Sequence, residues 1–481
     1  MTKTTADILA AASSAALRTP ELAAELDAAD DLASLRGEFI LPTNASIGAS
    51  LAAQSRPNES CTYLCGNSLG AMPKRAETLV REELGVWATQ AVEGHFKHAL
   101  KRDWLTAADL THPTLAQLLG AEESEVVCMG TLTANLHLMM NTFYKPTAGR
   151  NKILCEARAF PSDQASPTLP SCINYAFASQ AIAHGLDPKE VVIELSPRSG
   201  EFYLRNEDVL DAIEQHGQAL ALVLFPGIQY YTGQAFDMPA ITKAAHSQGA
   251  ICAWDLAHGI GNLELHLHDW EVDFAVWCSY KYLNAGPGAI AGLYVHRNWD
   301  EKERPRHAGW WGHELATRFQ MPPHFKPIPG AQGFQQSNPS VLTIAALLGS
   351  LEVFKAAGGM GPLRRKAVTL TLYLERALQA STRFVRPEEA ASYPDTGNPA
   401  FTIITPADPQ FRGSQLSLLI LPVSRHELME QVFAAMLARG VLGDERRPNV
   451  IRLAPTALYN TFEECRYAAV ALDEAFDTIE H

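Results

Sequence analysis

This chain has no CxxC pair, no run of basic residues and no apolar stretch long enough to span a bilayer. Each absence removes a class of function. Without paired cysteines, a ribbon-type structural zinc site is not expected. Without a basic run, and with a net charge of −14 at pH 7, nucleic acid and anionic membranes are poor partners. Without a long apolar segment, no transmembrane helix is expected. The alanine-rich, acid-bearing stretch from Met1 to Leu32 lacks a basic start followed by an apolar core. It therefore reads neither as a secretory signal nor as a mitochondrial presequence. The 8 cysteines are scattered, several inside apolar strand-like runs, which suits reduced thiols in a cytoplasmic protein. His266-Leu267-His268-Asp269 alternates two histidines in a polar loop, which is too little to define a metal site.

What is present is a chain of 481 residues, too long for one compact domain, with no internal repeat. Residues up to about Asn58 read as an arm with helices. Pro73 to about Val92 reads as a long amphipathic helix, with Ala76, Leu79, Val80, Glu83-Leu84 and Trp87 as its apolar stripe and Pro73 in its first turn. From about Ala121 to Val295, apolar strand-like runs alternate with helical stretches. Examples are Ile153–Cys155, Val191–Ile193, Ala221–Leu224, Ile251–Trp254 and Phe274–Trp277, the signature of a mostly parallel sheet in an α/β fold. The segment Asn298 to Gln336 is rich in proline, glycine and aromatics, too long for a mere connection, and reads as shaping a site or a subunit contact. A helix at about Val341 to Ala357 leads into a smaller α+β region with helices at Leu363–Ala380, Arg425–Ala438 and Phe462–Ile479, and strands at Phe401–Ile404 and Val450–Leu453.

Lys281 stands out within this pattern. It follows the apolar run Phe274–Trp277 and precedes the glycine-rich Asn284-Ala285-Gly286-Pro287-Gly288. An ammonium costs several kcal/mol to bury alone (about that order). A lysine there either snorkels to water or serves chemistry, and the best-suited chemistry is a Schiff base with an aldehyde cofactor such as pyridoxal phosphate. Such a cofactor needs an acid beside its ring nitrogen. Asp255, at the end of Ile251–Asp255, fits, although an aspartate after a strand also serves as a helix cap. The spacing from Asp255 to Lys281 allows a helical crossover and a return strand, so both side chains would emerge at the carboxyl edge of neighbouring strands. His258 could stack on the ring or bond to it. A phosphate needs backbone N–H groups at a helix start. The strand Val126–Gly130 followed by Thr131-Leu132-Thr133 and a helix supplies one, with the Tyr280 phenol nearby. Trp310 offers an indole N–H or aromatic surface.

In order along the chain stand Tyr63–Gly70, Leu132-Thr133, Phe160-Pro161-Ser162-Asp163, Tyr230–Gln234, Asp255–His258 and Tyr280–Asn284. Gly309–Glu314, Ser337-Asn338-Pro339 and Ile451–Pro455 follow. This ordered set resembles the kynureninases, pyridoxal-phosphate (PLP) hydrolases related to the class V aminotransferases, over most of the chain. The resemblance implies a fold type I PLP-dependent transferase-like α/β architecture. Residues 1–65 would be an arm and helices belonging to a small domain, 66–340 a large PLP-binding domain, and 341–481 a linking helix and the rest of the small α+β domain. A homodimer is implied, with sites at its interface.

The resemblance also implies roles. Lys281 forms the Schiff base and moves protons, Asp255 pairs with the ring nitrogen, and Phe160 stacks on the ring. Leu132, Thr133 and Tyr280 hold the phosphate, and Pro161, Ser162, Asp163 and His258 lie close to the cofactor. Trp310 and Asn338 reach the phosphate or the substrate, Asn338 from a neighbouring subunit. Arg452 takes the substrate α-carboxylate across a cleft, a bidentate task suited to a planar guanidinium. Ser337, Asn338 and one of His95 or His98, with His95 preferred, read the aryl end. The implied reaction is hydrolytic Cβ–Cγ cleavage of kynurenine or 3-hydroxykynurenine to alanine and an anthranilate, in tryptophan breakdown or NAD synthesis, with Tyr280 a candidate acid or base. The rival reading is another class V enzyme, an aminotransferase or a cysteine desulfurase. A desulfurase needs a reactive cysteine on a loop over the cofactor, and Asn298–Gln336 holds none. Pro226 departs from the family pattern, where a small residue is expected. So do Pro167 and Pro170, where a continuous helix is expected.

Overall fold

A computed structural model describes residues 3–157 and 175–479. The chain divides into two compact units. One comprises Arg75–Tyr230 and Ala235–Lys355; the other comprises Met1–Lys74, Tyr231–Gln234 and Ala356–His481.

The first unit is built on a seven-stranded sheet: β1 (Val126–Cys128), β2 (Lys152–Glu156), β3 (Val192–Leu195), β4 (Leu220–Pro226), β5 (Ile251–Asp255), β6 (Phe274–Trp277) and β7 (Gly292–Val295). The order across the sheet is β1-β7-β6-β5-β4-β2-β3. The pairs β6–β5, β5–β4, β4–β2 and β2–β3 are parallel, and only β7 runs against its neighbours. Strands β4 and β6 are buried almost throughout rather than at alternate positions. That is why they read as continuous apolar runs, since a parallel sheet is covered on both faces. Ile153, Leu222, Leu224, Ala253, Phe274, Val276 and Leu293 form the core with Leu136, Met139, Met140 and Phe143 of helix α2 (Leu132–Phe143). Each large apolar side chain so buried contributes about 1.5–3 kcal/mol.

Three expectations change in detail. The connection from β5 to β6 runs through turns and contains no helix. Helix α1 (Lys74–Gln90) starts one residue after Pro73, because Pro73 pairs with Phe39 in a short antiparallel ladder, a position where a missing N–H is tolerated. Helix α1 turns most of the expected stripe inward but not its Leu84 and Trp87 side. Ala76, Leu79, Glu83 and Val86 are buried, whereas Leu84 and Trp87 are exposed. Helix α3 (Val341–Ala356) completes this unit apart from its last residue.

The second unit holds helices α4 (Met360–Gln379), α5 (Glu427–Ala438) and α6 (Phe462–Ile479) and an antiparallel sheet of β8 (Ala400–Ile403), β9 (Leu416–Leu421), β10 (Asp444–Arg446) and β11 (Val450–Leu453), in the order β8-β9-β11-β10. The N-terminal helices Thr5–Ala11 and Pro20–Ala28 pack into its core through Ile8, Leu9, Leu22 and Leu26. Asp27 fixes that docking: its carboxylate accepts the N–H groups of Phe462 (2.7 Å) and Glu463 (3.1 Å) at the start of α6, where donors lack helical partners. Among the described residues, no single helix is long and apolar enough to cross a membrane.

Glu156 ends β2 in full burial, and one of its oxygens has no hydrogen-bond partner. Burial pushes its carboxyl from 4.5 up to about 8, with Gln229 opposing the shift and the Asp255 charge adding to it. The folded state therefore keeps a proton that the unfolded chain releases. This contribution to stability is full below 4.5 and is lost as pH rises through about 8. Glu156→Gln keeps the shape without the proton. Its melting temperature is expected to fall less than that of the parent across this interval, read by scanning calorimetry of both proteins. Equal falls would mean that Glu156 is ionised in the native state.

Candidate active site

The carboxyl edge of the large sheet gathers the reactive groups. Asp255 is the last residue of β5, and Asp255 pairs with Val276 of the parallel β6. Lys281 lies in the loop that leaves β6. That loop is tied down locally: Ala285 N–H donates to Ser279 O (3.0 Å), Asn284 N–H to Lys281 O (2.9 Å), and the Asn284 amide to Tyr282 O (2.7 Å). Lys281 Nζ lies 3.0 Å from His258 Nε2 and 5.8 Å from the Tyr280 ring centre. The His258 ring is buried, and its backbone oxygen accepts the Asn262 amide at 3.0 Å. One Asp255 oxygen accepts the Ala257 N–H at 2.8 Å. Burial pushes the Asp255 carboxyl up, and that N–H and the Lys281 charge pull it back. Burial also pushes the Tyr280 phenol well above its ordinary value. Pro226 sits opposite Asp255, and the ladder bond of that parallel pair is donated by Gly227 N–H to Asp255 O at 2.7 Å, so the N–H that Pro226 lacks is not needed for it.

Strand β1 is antiparallel to β7, and β7 to β6, so β1 ends on the same edge as β5 and β6. Helix α2 begins there. Gly130 takes the left-handed φ of 55° that turns the chain from strand to helix. Thr131, at the cap position, makes no side-chain hydrogen bond to the helix, and Thr131 and Thr133 are exposed. Thr131 thus leaves the first N–H groups of α2 uncapped by its side chain, the kind of helix start at which an anion binds. An amine nucleophile, a buried carboxyl and an uncapped helix start on one edge fit a group that carries an aldehyde, a basic ring nitrogen and a phosphate.

A second cluster in the same unit holds other predicted residues. His95 is half-buried and meets Trp104 edge to face, 5.1 Å between ring centres. Its neighbour Phe96 lies 6.2 Å from Phe319, which lies 6.0 Å from Trp310. His98 is different: it is buried, and its Nε2 lies 2.9 Å from Glu83 Oε2. Ser337 and Asn338 are exposed just before α3. Phe160, Pro161, Ser162, Asp163, Pro167 and Pro170 lie outside the described residues.

In the other unit, Arg452 on β11 is buried rather than paired at the surface. Its Nε donates to Asp444 Oδ1 (3.1 Å), and Nη2 lies 2.7 Å from the same oxygen. Asp444 stands directly opposite on β10. Burial works against the Arg452 charge, and Asp444 works for it. The sequence reading missed Asp444, Glu83 and Trp104. Nothing local in the sequence announces these partners. The His266 ring packs against Trp270. His268 instead stacks on His296 and bonds Glu125, whose oxygens also accept the Glu122 and Arg297 N–H groups. His296 Nδ1 accepts the Asn298 N–H at 3.0 Å, so this cluster is a hydrogen-bonded junction between loops.

Comparison with known proteins agrees in fold and extends it. Residues 363–472 match a family model described as the kynureninase C-terminal domain, and residues 193–410 match the class V aminotransferase model. The chain is 46% identical to a kynureninase of Yarrowia lipolytica, over 88% of this chain and 95% of that one. It is 47% identical to a kynureninase of Saccharomyces cerevisiae, over 93% and 97%. Among solved structures it superposes on the cysteine desulfurase CsdA of Escherichia coli with a TM-score of 0.66 at 18% identity, covering 93% of this chain and 99% of that one. It also superposes on a C-DES mutant with glycine covalently linked to the PLP cofactor, with a TM-score of 0.67 at 16% identity, covering 86% and 96%.

The Arg452–Asp444 pair has a direct test. Asp444→Ala deprives a buried guanidinium of this counter-charge, and the expected loss is about 3–5 kcal/mol in urea unfolding. A loss within experimental scatter would mean that other groups carry the charge.

Proposed function

Because the chain belongs to the kynureninase family, we propose that it binds pyridoxal 5′-phosphate and hydrolyses the Cβ–Cγ bond of kynurenine or 3-hydroxykynurenine. One water is consumed, and alanine leaves with anthranilate or 3-hydroxyanthranilate. The observation that carries this reading is the convergence of Lys281, Asp255 and the uncapped start of α2 on one sheet edge.

When bound, the cofactor supplies an electron sink for the substrate's Cα and Cβ. The protein supplies the rest. Lys281 Nζ takes and returns the α-proton, and His258, 3.0 Å away, orients it. Asp255 holds the proton on the ring nitrogen; its buried carboxyl gains most from a cationic partner. The N–H groups at Leu132 and Thr133, with Tyr280, bind the phosphate. Tyr280 also serves the γ-carbonyl, where an oxyanion develops and a placed donor lowers the barrier. Arg452 binds the α-carboxylate, with Asp444 keeping its guanidinium charged and oriented. Phe160 stacks on the ring, with Pro161, Ser162 and Asp163 beside it. His95, Ser337 and Asn338 read the aryl end, and Trp310 and Asn338 reach the phosphate or the substrate, Asn338 from a neighbouring subunit.

A homodimer is part of this reading. Trp87, Val92, Phe96, Trp310, Phe319 and Met321 are large, apolar and exposed, and such a collection on one unit favours a covering partner. A cytoplasmic place in tryptophan breakdown or NAD synthesis accompanies it. A desulfurase is disfavoured: the likeness to cysteine desulfurases is one of fold at 18% identity or below, and residues 298–336 hold no cysteine.

The test is incubation of PLP-loaded protein with each substrate, with alanine and both aryl acids quantified. Stoichiometric alanine and aryl acid are expected, and the ratio of kcat/KM values names the preferred substrate. No cleavage by yellow, cofactor-loaded protein would overturn the assignment in favour of transamination. Lys281→Ala is expected to abolish turnover. Tyr280→Phe is expected to lower kcat by about 10²-fold or more while cofactor affinity changes far less; unchanged kcat would remove Tyr280 from the chemistry.

A further inference from the structure

Glu83 is a glutamate on the inward face of α1, and its side chain is buried. It meets three donors from one short stretch of chain. Trp104 Nε1–H donates to Oε2 (2.7 Å), His98 Nε2 lies 2.9 Å from the same oxygen, and Arg102 Nε–H donates to Oε1 (2.8 Å). Arg102 also donates to Glu82 at 2.8 Å. His98 Nδ1 accepts the Leu100 N–H at 3.1 Å, so the proton sits on Nε2 and faces the carboxylate. Burial pushes the Glu83 carboxyl up, but the bonds from Trp104, Arg102 and His98 outweigh it and hold the group below its ordinary value. A buried carboxylate with three donors from residues 98–104 is an anchor for that loop.

The anchor reaches His95 through Trp104. The indole lies against Gly94, where an added Cβ would come within 2.8 Å of the ring, so only glycine admits it. Trp104 N–H bonds Gly94 O at 3.2 Å, and Leu105 N–H bonds His95 O at 3.4 Å. The His95 ring stands at 84° to the indole, 5.1 Å between centres. Its Nδ1 lies 3.1 Å from Val92 O. A carbonyl only accepts, so Nδ1 carries the hydrogen, and Nε2 of the neutral ring is an acceptor.

We infer that Glu83 is a positioning residue: through Trp104 it holds His95 in the one pose and tautomer that present Nε2 as an acceptor for a donor on the substrate's aromatic ring. Such a donor is an arylamine N–H or a phenol O–H, so the network selects aryl groups that bear one. This rests on the reading above that His95 meets the substrate's aryl end.

The experiment compares Glu83→Gln, Trp104→Phe and His95→Phe in the PLP-loaded enzyme. Trp104→Phe keeps the ring but removes the indole donor, and it serves if Glu83→Gln does not fold. Two quantities are read: KM and kcat for both substrates, and the His95 tautomer by ¹⁵N NMR. The expected result for Glu83→Gln and Trp104→Phe is KM raised by about tenfold, the equivalent of one lost hydrogen bond, with kcat nearly unchanged. The His95 signals should shift from a single Nδ1–H form to a mixture. Unchanged KM and an unchanged tautomer in both variants would overturn the inference. If His95→Phe leaves KM unchanged for both substrates, the reading of His95 fails instead, and the tautomer in Glu83→Gln alone then decides whether Glu83 holds the ring.

Discussion

The parallel pairing of β5 with β6 is the constraint on which the reactive edge depends. Parallel strands end on one side of their sheet, so whatever follows each strand is delivered to a common edge. Asp255 is the last residue of one strand, and Lys281 lies in the loop leaving its neighbour. Two antiparallel reversals, through β7, bring β1 to the same edge and with it the start of α2. A carboxyl, an amine and a set of backbone N–H groups thus meet without any being close in sequence. The burial that pushes the Asp255 carboxyl up is the cost of this arrangement, and a cation beside it is the natural relief.

Several buried or half-buried charges in the two units are held by fixed partners. Glu83 has Trp104, His98 and Arg102. Arg452 has Asp444 on the adjoining strand. Asp27 has the first N–H groups of α6. Glu156, with one oxygen unsatisfied, is the exception, and it responds by holding its proton instead of its charge. Asp255 and Arg452 are set on strands, whereas the irregular stretches that carry Lys281 and His95 are tied down by hydrogen bonds of their own. The Glu83 network is such an anchor, and it explains why α1 turns a glutamate inward while Trp87 faces out.

Much of this was legible in the sequence because the relevant signals are local. Uninterrupted apolar runs marked β4, β5 and β6, since a doubly covered strand has no polar face to show. A lysine after one such run, an aspartate at the end of another, and a glycine followed by threonines after β1 marked the groups that the sheet brings to one edge. The ordered motifs pointed to the kynureninase family, and the 46–47% identity of two fungal kynureninases bears that out. The helix expected between β5 and β6 is absent because the pairing needs only enough chain to return, and turns suffice.

What the sequence by itself determined was strand order of appearance, fold class and the residue types able to do the chemistry, because periodicity, breakers and rare buried charges leave their mark within a few residues. What only the tertiary structure decided was which partners those residues meet. That His98 spends its ring on Glu83 while His95 Nδ1 faces Val92 O depends on how the 91–105 loop folds over α1. That Arg452 faces Asp444 depends on the register of two strands. Both depend on long-range packing, in which a side chain's partner is set by distance in space and not by distance along the chain.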